Sequence, residues 1–524
     1  MLWLSFPPVG AWWLAWLAPV PLIWLVLIPT QLGRMNFREV WLAGLLYWLG
    51  TFYFIPLPHP AMWAGWFAVS LYMSIYTPLF VLVSRTLVHR LHFPVILAAP
   101  IAWTGIEWIR CNFATGMAMV CLSHSQFKQP ILIQIADLSG AYTLTFAIVM
   151  FAAGVAVAVR APSMSARVTV PPDATRSARL IALTTAGLTL AIVVSYGQWR
   201  LREPVLTALK PSIQVAIVQS SIDVIFEPQT RAEELEQFEQ YCDLTGRALT
   251  QWPELDVIVW PESGFPRSAY DLLSDIDAEG TIEMYEGAIA QVWAMAMGYP
   301  ALNAGHVPLL VGATTLDPQK DEMFNAALLI NSSGAVAGRY FKNHRVMFGE
   351  YVPLADWFPF LHQWTPIGRG LTPGNSFESF EVKNVRIAPS ICFESTVPQL
   401  MLRMVNTLKE QGKEPDVLIN LTNDGWFFGT SCLDLHLACN VFRAVELRKP
   451  HLVCANTGFS AEIDTCGRLL QVGPRREVGL IKAEITPVTR ASLYRTIGDW
   501  IPAIFGWGCG VVWLVARFSR TRGV

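Results

Sequence analysis

Charge is what this chain has least of. Its 38 Lys and Arg and 40 Asp and Glu amount to 15% of 524 residues, and they nearly cancel at a formal net charge of -2. That balance provides no basic field for nucleic acid. Short cysteine spacings are missing as well. The nine cysteines, at 111, 121, 242, 392, 432, 439, 454, 466 and 509, form neither a disulfide framework nor a zinc signature, and their odd number leaves at least one thiol free. A glycine-rich phosphate loop is also absent. With 53% hydrophobic residues the chain is too apolar to be wholly soluble. A membrane protein whose partners are lipid or peptide remains, and nothing in it requires a metal or an organic cofactor.

Six apolar stretches, near 11–30, 40–57, 62–84, 93–110, 131–159 and 180–198, precede a polar middle, and a seventh lies near 498–516. Each approaches the roughly 20 residues that cross a bilayer as a helix. Arginines follow the odd-numbered stretches: Arg34 and Arg38, Arg85 and Arg90, Arg160 and Arg167, then Arg517. The connection at 57–61 has no Lys or Arg, and the one at 111–130 has only Lys128. The positive-inside rule therefore predicts a bundle of six spans over 1–200, an external domain over 211–489 and a C-terminal span over 497–518 that ends in the cytoplasm. In a diderm bacterium this is a multi-pass inner-membrane protein with its polar domain in the periplasm. Seven spans with a cytoplasmic C-terminus require an external N-terminus, so a further apolar helix is expected upstream of this reading frame.

The polar domain alternates short β-branched runs with helical ones. Strands are predicted near 213–219, 256–261, 308–314, 324–331, 335–341, 385–391, 416–422, 451–456, 460–464, 469–472 and 479–484. Helices are predicted near 230–250, 281–297, 395–410 and 434–448. Runs such as Asp416-Val417-Leu418-Ile419-Asn420 read as strands buried on both faces, so a layered α/β sandwich is expected.

Three reactive side chains stand at or just past the ends of apolar runs: Glu262, Lys342 and Cys392. A confined carboxylate can take a thiol's proton. A fixed ammonium, helped by the backbone N–H after Cys392, can stabilise the oxyanion that forms when the thiolate attacks a carbonyl. Taken singly, Cys392 also reads as a small core residue, Glu262 as a strand-end cap and Lys342 as a solvated hairpin lysine.

The joint order of strings decides between these readings. Trp260-Pro261-Glu262 is followed by Tyr340-Phe341-Lys342, Gly349-Glu350-Tyr351-Val352-Pro353, Ile391-Cys392-Phe393-Glu394 and Asn423-Asp424-Gly425-Trp426-Phe427. In these the domain resembles the carbon–nitrogen hydrolase (nitrilase) superfamily, and the whole chain resembles the bacterial apolipoprotein N-acyltransferase family. The resemblance implies a nitrilase-like αββα sandwich beside a transmembrane helical bundle. It implies Glu262 as base, Lys342 as oxyanion stabiliser and Cys392 as nucleophile. Glu350 and Glu394 would support the site, and Phe393, Asn423 and Trp426 would be supporting or substrate-contacting residues. His436, Arg443-Ala444-Val445-Glu446 and Asn456-Thr457-Gly458 also match family strings, which the resemblance leaves as scaffold or substrate contact.

The reaction implied is a two-step transfer. Cys392 takes an acyl chain from a phospholipid as a thioester, and the α-amine of a diacylglyceryl-cysteine on an apolipoprotein then removes it. The partners would be phospholipid, apolipoprotein and bilayer, with no nucleic acid and a monomeric enzyme. The alternatives are a membrane-tethered amidase or nitrilase and a non-catalytic lipid- or lipoprotein-binding protein. The chain departs from the family at 427–436, near Phe226 and at Gly116-Met117-Ala118-Met119, which leaves acyl-chain and donor preference open. Two further features remain. Residues 351–371 carry Trp357, Phe358, Phe360, Leu361 and Trp364, either a loop packed on its own domain or a membrane-dipping lid. Glu107 and Arg110 read as snorkelling anchors or as a headgroup contact.

Overall fold

The computed structural model describes residues 1–29, 33–60, 62–113, 116–159, 172–204, 206–207, 210–224, 230–265, 281–297, 307–355, 357–358, 360 and 370–518. Arg160, Arg167, Phe226, Leu361 and Trp364 lie outside the described residues. The chain forms two compact units, one of Met1–Pro56, Met62–Pro204 and Ser492–Val524, the other of Leu57–Ala61 and Val205–Ala491.

The first unit is helical. Its principal helices are α1 (Val20–Leu27), α2 (Arg34–Thr51), α3 (Met62–Ser74), α4 (Tyr76–His89), α5 (Val95–Asn112), α6 (Ala141–Ala158), α7 (Pro172–Arg202) and, at the far end of the chain, Trp500–Phe518. Small residues let backbones meet. A Cβ on Gly105 of α5 would stand 2.6 Å from the carbonyl carbon of Phe505, and one on Gly154 of α6 would stand 2.6 Å from the carbonyl oxygen of Ala182 on α7.

Three expected spans carry an irregularity at an identifiable residue, without the second ceasing to be one long apolar segment. The stretch near 11–30 divides into a 3-10 turn, Trp12–Trp16, and α1, with Pro19 and Pro21 at the start of the helix. The stretch near 62–84 is interrupted between α3 and α4, where Pro78 in the first turn of α4 has no N–H to continue the ladder. The stretch near 131–159 opens with two single turns, Pro130–Ile133 and Ala136–Ser139, before Gly140 at φ 74° starts α6. Among the described residues three helical segments are long and apolar enough to cross a membrane: Met62–His89, Ala141–Ala158 and Arg176–Arg202. Helix α2 carries Arg34, Arg38 and Glu39, and α5 carries Glu107 and Arg110, which lowers their hydropathy.

The second unit stacks two six-stranded sheets. Its strands are β1 (Ile213–Gln219), β2 (Val257–Val259), β3 (Leu309–Asp317), β4 (Glu322–Ile330), β5 (Val336–Phe341), β6 (Phe380–Val382), β7 (Val385–Ile391), β8 (Val417–Thr422), β9 (His451–Ala455), β10 (Ala461–Ile463), β11 (Leu469–Val472) and β12 (Gly479–Ile485). The first sheet has the order β12-β1-β2-β3-β4-β5 and the second β11-β10-β9-β8-β7-β6. Each centres on three parallel strands, β1, β2 and β3 in one, β7, β8 and β9 in the other. Parallel neighbours send their C-terminal ends to one edge, so segments that follow them gather there.

Helix α8 (Arg231–Gln251) begins with a capping box: Thr230 Oγ1 accepts from the Glu233 N–H at 3.3 Å, and Glu233 Oε2 accepts from the Thr230 N–H at 2.7 Å. Its stripe of Phe238, Tyr241, Leu244 and Ala248 packs on the first sheet with Ile289, Val292 and Trp293 of α9 (Ile282–Ala296). Helix α11 (Ser431–Leu447) lies on β9, with α10 (Pro398–Glu410) beside it. Between the sheets, Cys454 Sγ lies 3.4 Å from the Val259 carbonyl oxygen. The layering is the αββα sandwich expected. Strand β6 was not expected. It pairs with β7 through a two-residue turn in which Lys383 (φ 48°) and Asn384 (φ 66°) are both left-handed, the type I′ geometry that suits hairpin twist.

Candidate active site

Four segments bring residues at or within three positions of a strand end to one place. Glu262 follows β2, Lys342 follows β5, Cys392 follows β7 and Asn423 follows β8. Gly312 on β3 allows the first of these. A Cβ there would stand 2.5 Å from the Pro261 carbonyl oxygen and 2.6 Å from the Glu262 Cα, so the chain can cross β3 only where no side chain intervenes.

Lys342 is buried, and its Nζ donates to Glu350 Oε1 at 2.7 Å and to Glu262 Oε1 at 3.3 Å. Burial works against its positive charge. The carboxylates of Glu262 and Glu350 outweigh it and hold the ammonium well above the ordinary lysine range. Each carboxylate is fixed in turn. Glu262 accepts from Asn325 Nδ2 at 2.8 Å and from the Asn423 backbone N–H at 2.9 Å. Glu350 accepts from the Val346 N–H at 2.8 Å and from Asn325 at 3.3 Å.

Cys392 takes φ 52° immediately after β7. A non-glycine residue holds that left-handed conformation only where its surroundings over-determine it. Here they do, because Asn420 Nδ2 donates to the Cys392 carbonyl oxygen at 3.1 Å and His436 Nε2 reaches the same oxygen at 3.1 Å. Part of the residue remains exposed, yet burial around the sulfur pushes the thiol well up, the Glu262 carboxylate adds to this and Lys342 opposes it. The sulfur therefore rests as a thiol, and its attack requires a base.

Glu394 joins the segments. Its fully buried carboxylate accepts from the Ile391 N–H at 2.8 Å, the Asn343 N–H at 2.7 Å, the His344 N–H at 3.0 Å and the Tyr340 hydroxyl at 2.9 Å. The residues flanking Lys342 are thereby tied to the turn carrying Cys392. Burial raises the Glu394 carboxyl, and these donors pull it back.

Residues 214–495, more than half of the chain, match the family model described as carbon-nitrogen hydrolase. The chain belongs to the carbon–nitrogen hydrolase family. Residues 1–154 match a second model, the apolipoprotein N-acyltransferase N-terminal domain. A Rhodopirellula baltica protein named apolipoprotein N-acyltransferase is 29% identical over 563 aligned residues, covering 100% of this chain and 96% of its own. A Geobacter metallireducens protein of the same name is 29% identical, covering 99% of this chain and 94% of its own. Among solved structures, a Saccharomyces cerevisiae member of branch 10 of the nitrilase superfamily is 17% identical with a TM-score of 0.37, covering 53% of this chain and 90% of that one.

In this carbon–nitrogen hydrolase the structure thus gathers Glu262, Lys342, Glu350, Cys392 and Glu394. Asn423 also arrives, but its backbone N–H reaches Glu262 while its side chain accepts from Asn456 Nδ2 at 2.9 Å and the Gly425 N–H at 3.2 Å. The Phe393 ring stacks on His344, centroids 5.9 Å apart, and Trp426 is half-buried in the turn Asp424–Phe427. Asn325, Asn420 and Tyr340 were not singled out from the sequence. The asparagines left a faint signal, each a polar residue inside a buried strand, where an unpartnered amide would be costly.

Past Glu350, Trp357 is 79% exposed, Phe358 47% and Phe360 49%, while Val352 and Ala355 are buried. The Phe358 and Phe360 rings meet edge to face, centroids 6.0 Å apart. In the helical unit, Glu107 and Arg110 do not snorkel. Both are buried, and Arg110 donates to the carbonyls of Met117 at 2.9 Å, Met119 at 3.0 Å and Val120 at 3.2 Å, while Glu107 accepts from the Leu122 N–H at 2.8 Å. They border a cavity of about 450 Å³ whose lining includes Phe6, Leu22, Trp48, Phe80 and Leu122.

Proposed function

We propose that this protein carries out lipoprotein N-acylation, the function that its two family models and its full-length relatives support, through a thioester on Cys392. In the first half-reaction Glu262 removes the thiol proton as the sulfur attacks a phospholipid ester carbonyl. Lys342 stabilises the resulting oxyanion. The carbon–oxygen bond then breaks, the alkoxide takes the proton from Glu262 and a lysophospholipid leaves. In the second half-reaction the α-amine of a diacylglyceryl-cysteine attacks the thioester and its proton passes to Glu262. The carbon–sulfur bond breaks, and the thiolate recovers that proton. Amide formation is downhill because a thioester is far more reactive toward amines than an ester.

One observation carries this reading. A buried ammonium held between two carboxylates beside a strained cysteine occurs on the same chain as an N-terminal acyltransferase domain. The rest of the proposal follows from composition and charge: seven spans in a bacterial inner membrane, the hydrolase unit in the periplasm and the C-terminus in the cytoplasm. Trp357, Phe358, Phe360 and Trp364 would form a lid that enters the bilayer surface.

The test is to incubate the purified protein with phospholipid labelled in its acyl chain, and then chase with diacylglyceryl peptide or with buffer. Hydroxylamine-sensitive label on Cys392, discharged by peptide and not by water, is expected. Equal discharge by water would make it a hydrolase, and no label would make it a binder.

A further inference from the structure

His436 is the residue whose chemistry is not yet used. On α11, buried, its ring has three polar neighbours: Asp424 Oδ1 lies 3.0 Å from Nδ1, and the Cys392 carbonyl oxygen and Ser395 Oγ each lie 3.1 Å from Nε2. A backbone carbonyl can only accept, so Nε2 must carry a hydrogen. An ionised carboxylate can only accept, so Nδ1 must carry one as well. The ring satisfying both is the imidazolium. Burial acts against that charge, but Asp424 outweighs it and raises the ring above the ordinary histidine value. The other charged or titratable groups acting on the ring are the Glu262 carboxylate, which also favours the charged form, and His451. Burial and Arg443 push His451 down to about 3, so it stays neutral.

The imidazolium and Asn420 both hydrogen-bond to the oxygen of the peptide joining Cys392 to Phe393. A trans peptide directs its N–H opposite to its C=O, and drawing electron density to the oxygen makes the N–H a stronger donor. We propose that His436, held charged by Asp424, is a positioning residue that fixes and polarises the Cys392–Phe393 peptide, so that the Phe393 N–H stabilises the oxyanion together with Lys342. This deepens the acyl-transfer reading and rests on it. A histidine that merely filled the core would move none of the pH-dependent quantities below.

The test is single-turnover acylation of the full-length protein in detergent micelles by phospholipid carrying a fluorescent acyl chain. Wild type, His436→Gln and Asp424→Asn are compared from about pH 6 to about pH 10, a range that brackets a raised histidine. At the acid end His436→Gln should acylate roughly tenfold more slowly, a fraction of the loss from deleting an oxyanion donor, with an unchanged KM for phospholipid. The ratio of wild-type to His436→Gln rate should fall toward one as pH rises and the wild-type ring loses its proton. Asp424→Asn should behave as wild type with that change moved to lower pH.

A ratio independent of pH, or a folded His436→Gln protein with the wild-type rate, overturns the inference. If His436→Gln does not fold, Asp424→Asn decides alone, and a profile identical to wild type overturns it. Wild type that takes no label sinks the acyl-transfer reading and this inference with it. Label on wild type with unaltered variants sinks this inference only.

Discussion

Each unit buries a cation beside carboxylate, and the two clusters use it in opposite ways. In the hydrolase unit, Nζ of Lys342 bonds, among the described residues, to the side chains of Glu262 and Glu350, and its charge acts on the Cys392 sulfur. In the helical unit, the Arg110 guanidinium is committed to the carbonyls of Met117, Met119 and Val120, a few residues further along its own chain. A charge aimed at a reactive atom is available to a transition state. A charge tied to a neighbouring loop is a structural clamp. Buried ion pairs are thus poor evidence of catalysis until their remaining partners are known.

The sharpest way to break this contrast is to remove each centre. Cys392→Ala should abolish the hydroxylamine-sensitive acyl label entirely, read by gel fluorescence, and leave the thermal midpoint close to wild type. Lys342→Met should lower kcat by about 10² to 10³, the usual consequence of deleting an oxyanion donor, measured with phospholipid and diacylglyceryl peptide. Arg110→Met should do the reverse. It leaves Glu107 and three carbonyls short of a donor and should cost about 3 to 5 kcal/mol of stability, while kcat per folded molecule stays within a few-fold of wild type. A Lys342→Met protein that loses stability but not rate would erase the distinction.

A gentler probe compares two carboxylates inside the hydrolase unit. The His436 ring is raised above its ordinary value, with burial opposing and Asp424 prevailing, so above about pH 6.5 the native protein holds a proton that the unfolded chain has released. Stability from the pair is fully present below that pH and is lost as pH rises through the folded value. The difference in melting temperature between wild type and Asp424→Asn should therefore narrow as pH is raised. Glu394 has the opposite kind of role, since its carboxylate bonds to the backbone around Lys342 and Cys392, and Glu394→Gln should lower kcat without erasing that narrowing.

How far the sequence could be read follows from which signals are local. Strands β1 and β7 begin and end where the apolar, β-branched runs do, because a strand buried on both faces is written in consecutive residues. Strand β6 is three residues at a sheet edge and leaves almost no run to detect; its evidence is the turn at Lys383-Asn384. The irregular spans show another limit. Hydropathy averages over Pro19, Pro21, Pro78 and Gly140, whereas the backbone responds to each. Glu262, Lys342 and Cys392 could be named from the order of their strings. Asp424 and His436 stood in matching strings, but their pairing did not, and Asn325 and Asn420 were not named for the site at all, since the importance of all four lies in contacts between segments far apart in the chain.

The smallest expected effect separates surface from site. Trp357 and Phe358 are exposed, so Trp357→Ser with Phe358→Ser removes no packed core and should leave the melting temperature unchanged. If these rings enter a bilayer, the variant loses apolar contact with lipid, which at about 25 cal/mol per Å² and partial insertion comes to roughly 1 to 2 kcal/mol. That predicts a fall in kcat/KM of roughly ten-fold on substrate in vesicles and a smaller one on the same substrate dispersed in detergent, where the lipid surface is replaced by small micelles. Equal losses in both would mean that the aromatic rings touch the substrate itself. No loss in either would leave Trp357 and Phe358 without a part in the reaction, and the reach of the hydrolase unit toward lipid would have to come from some other surface.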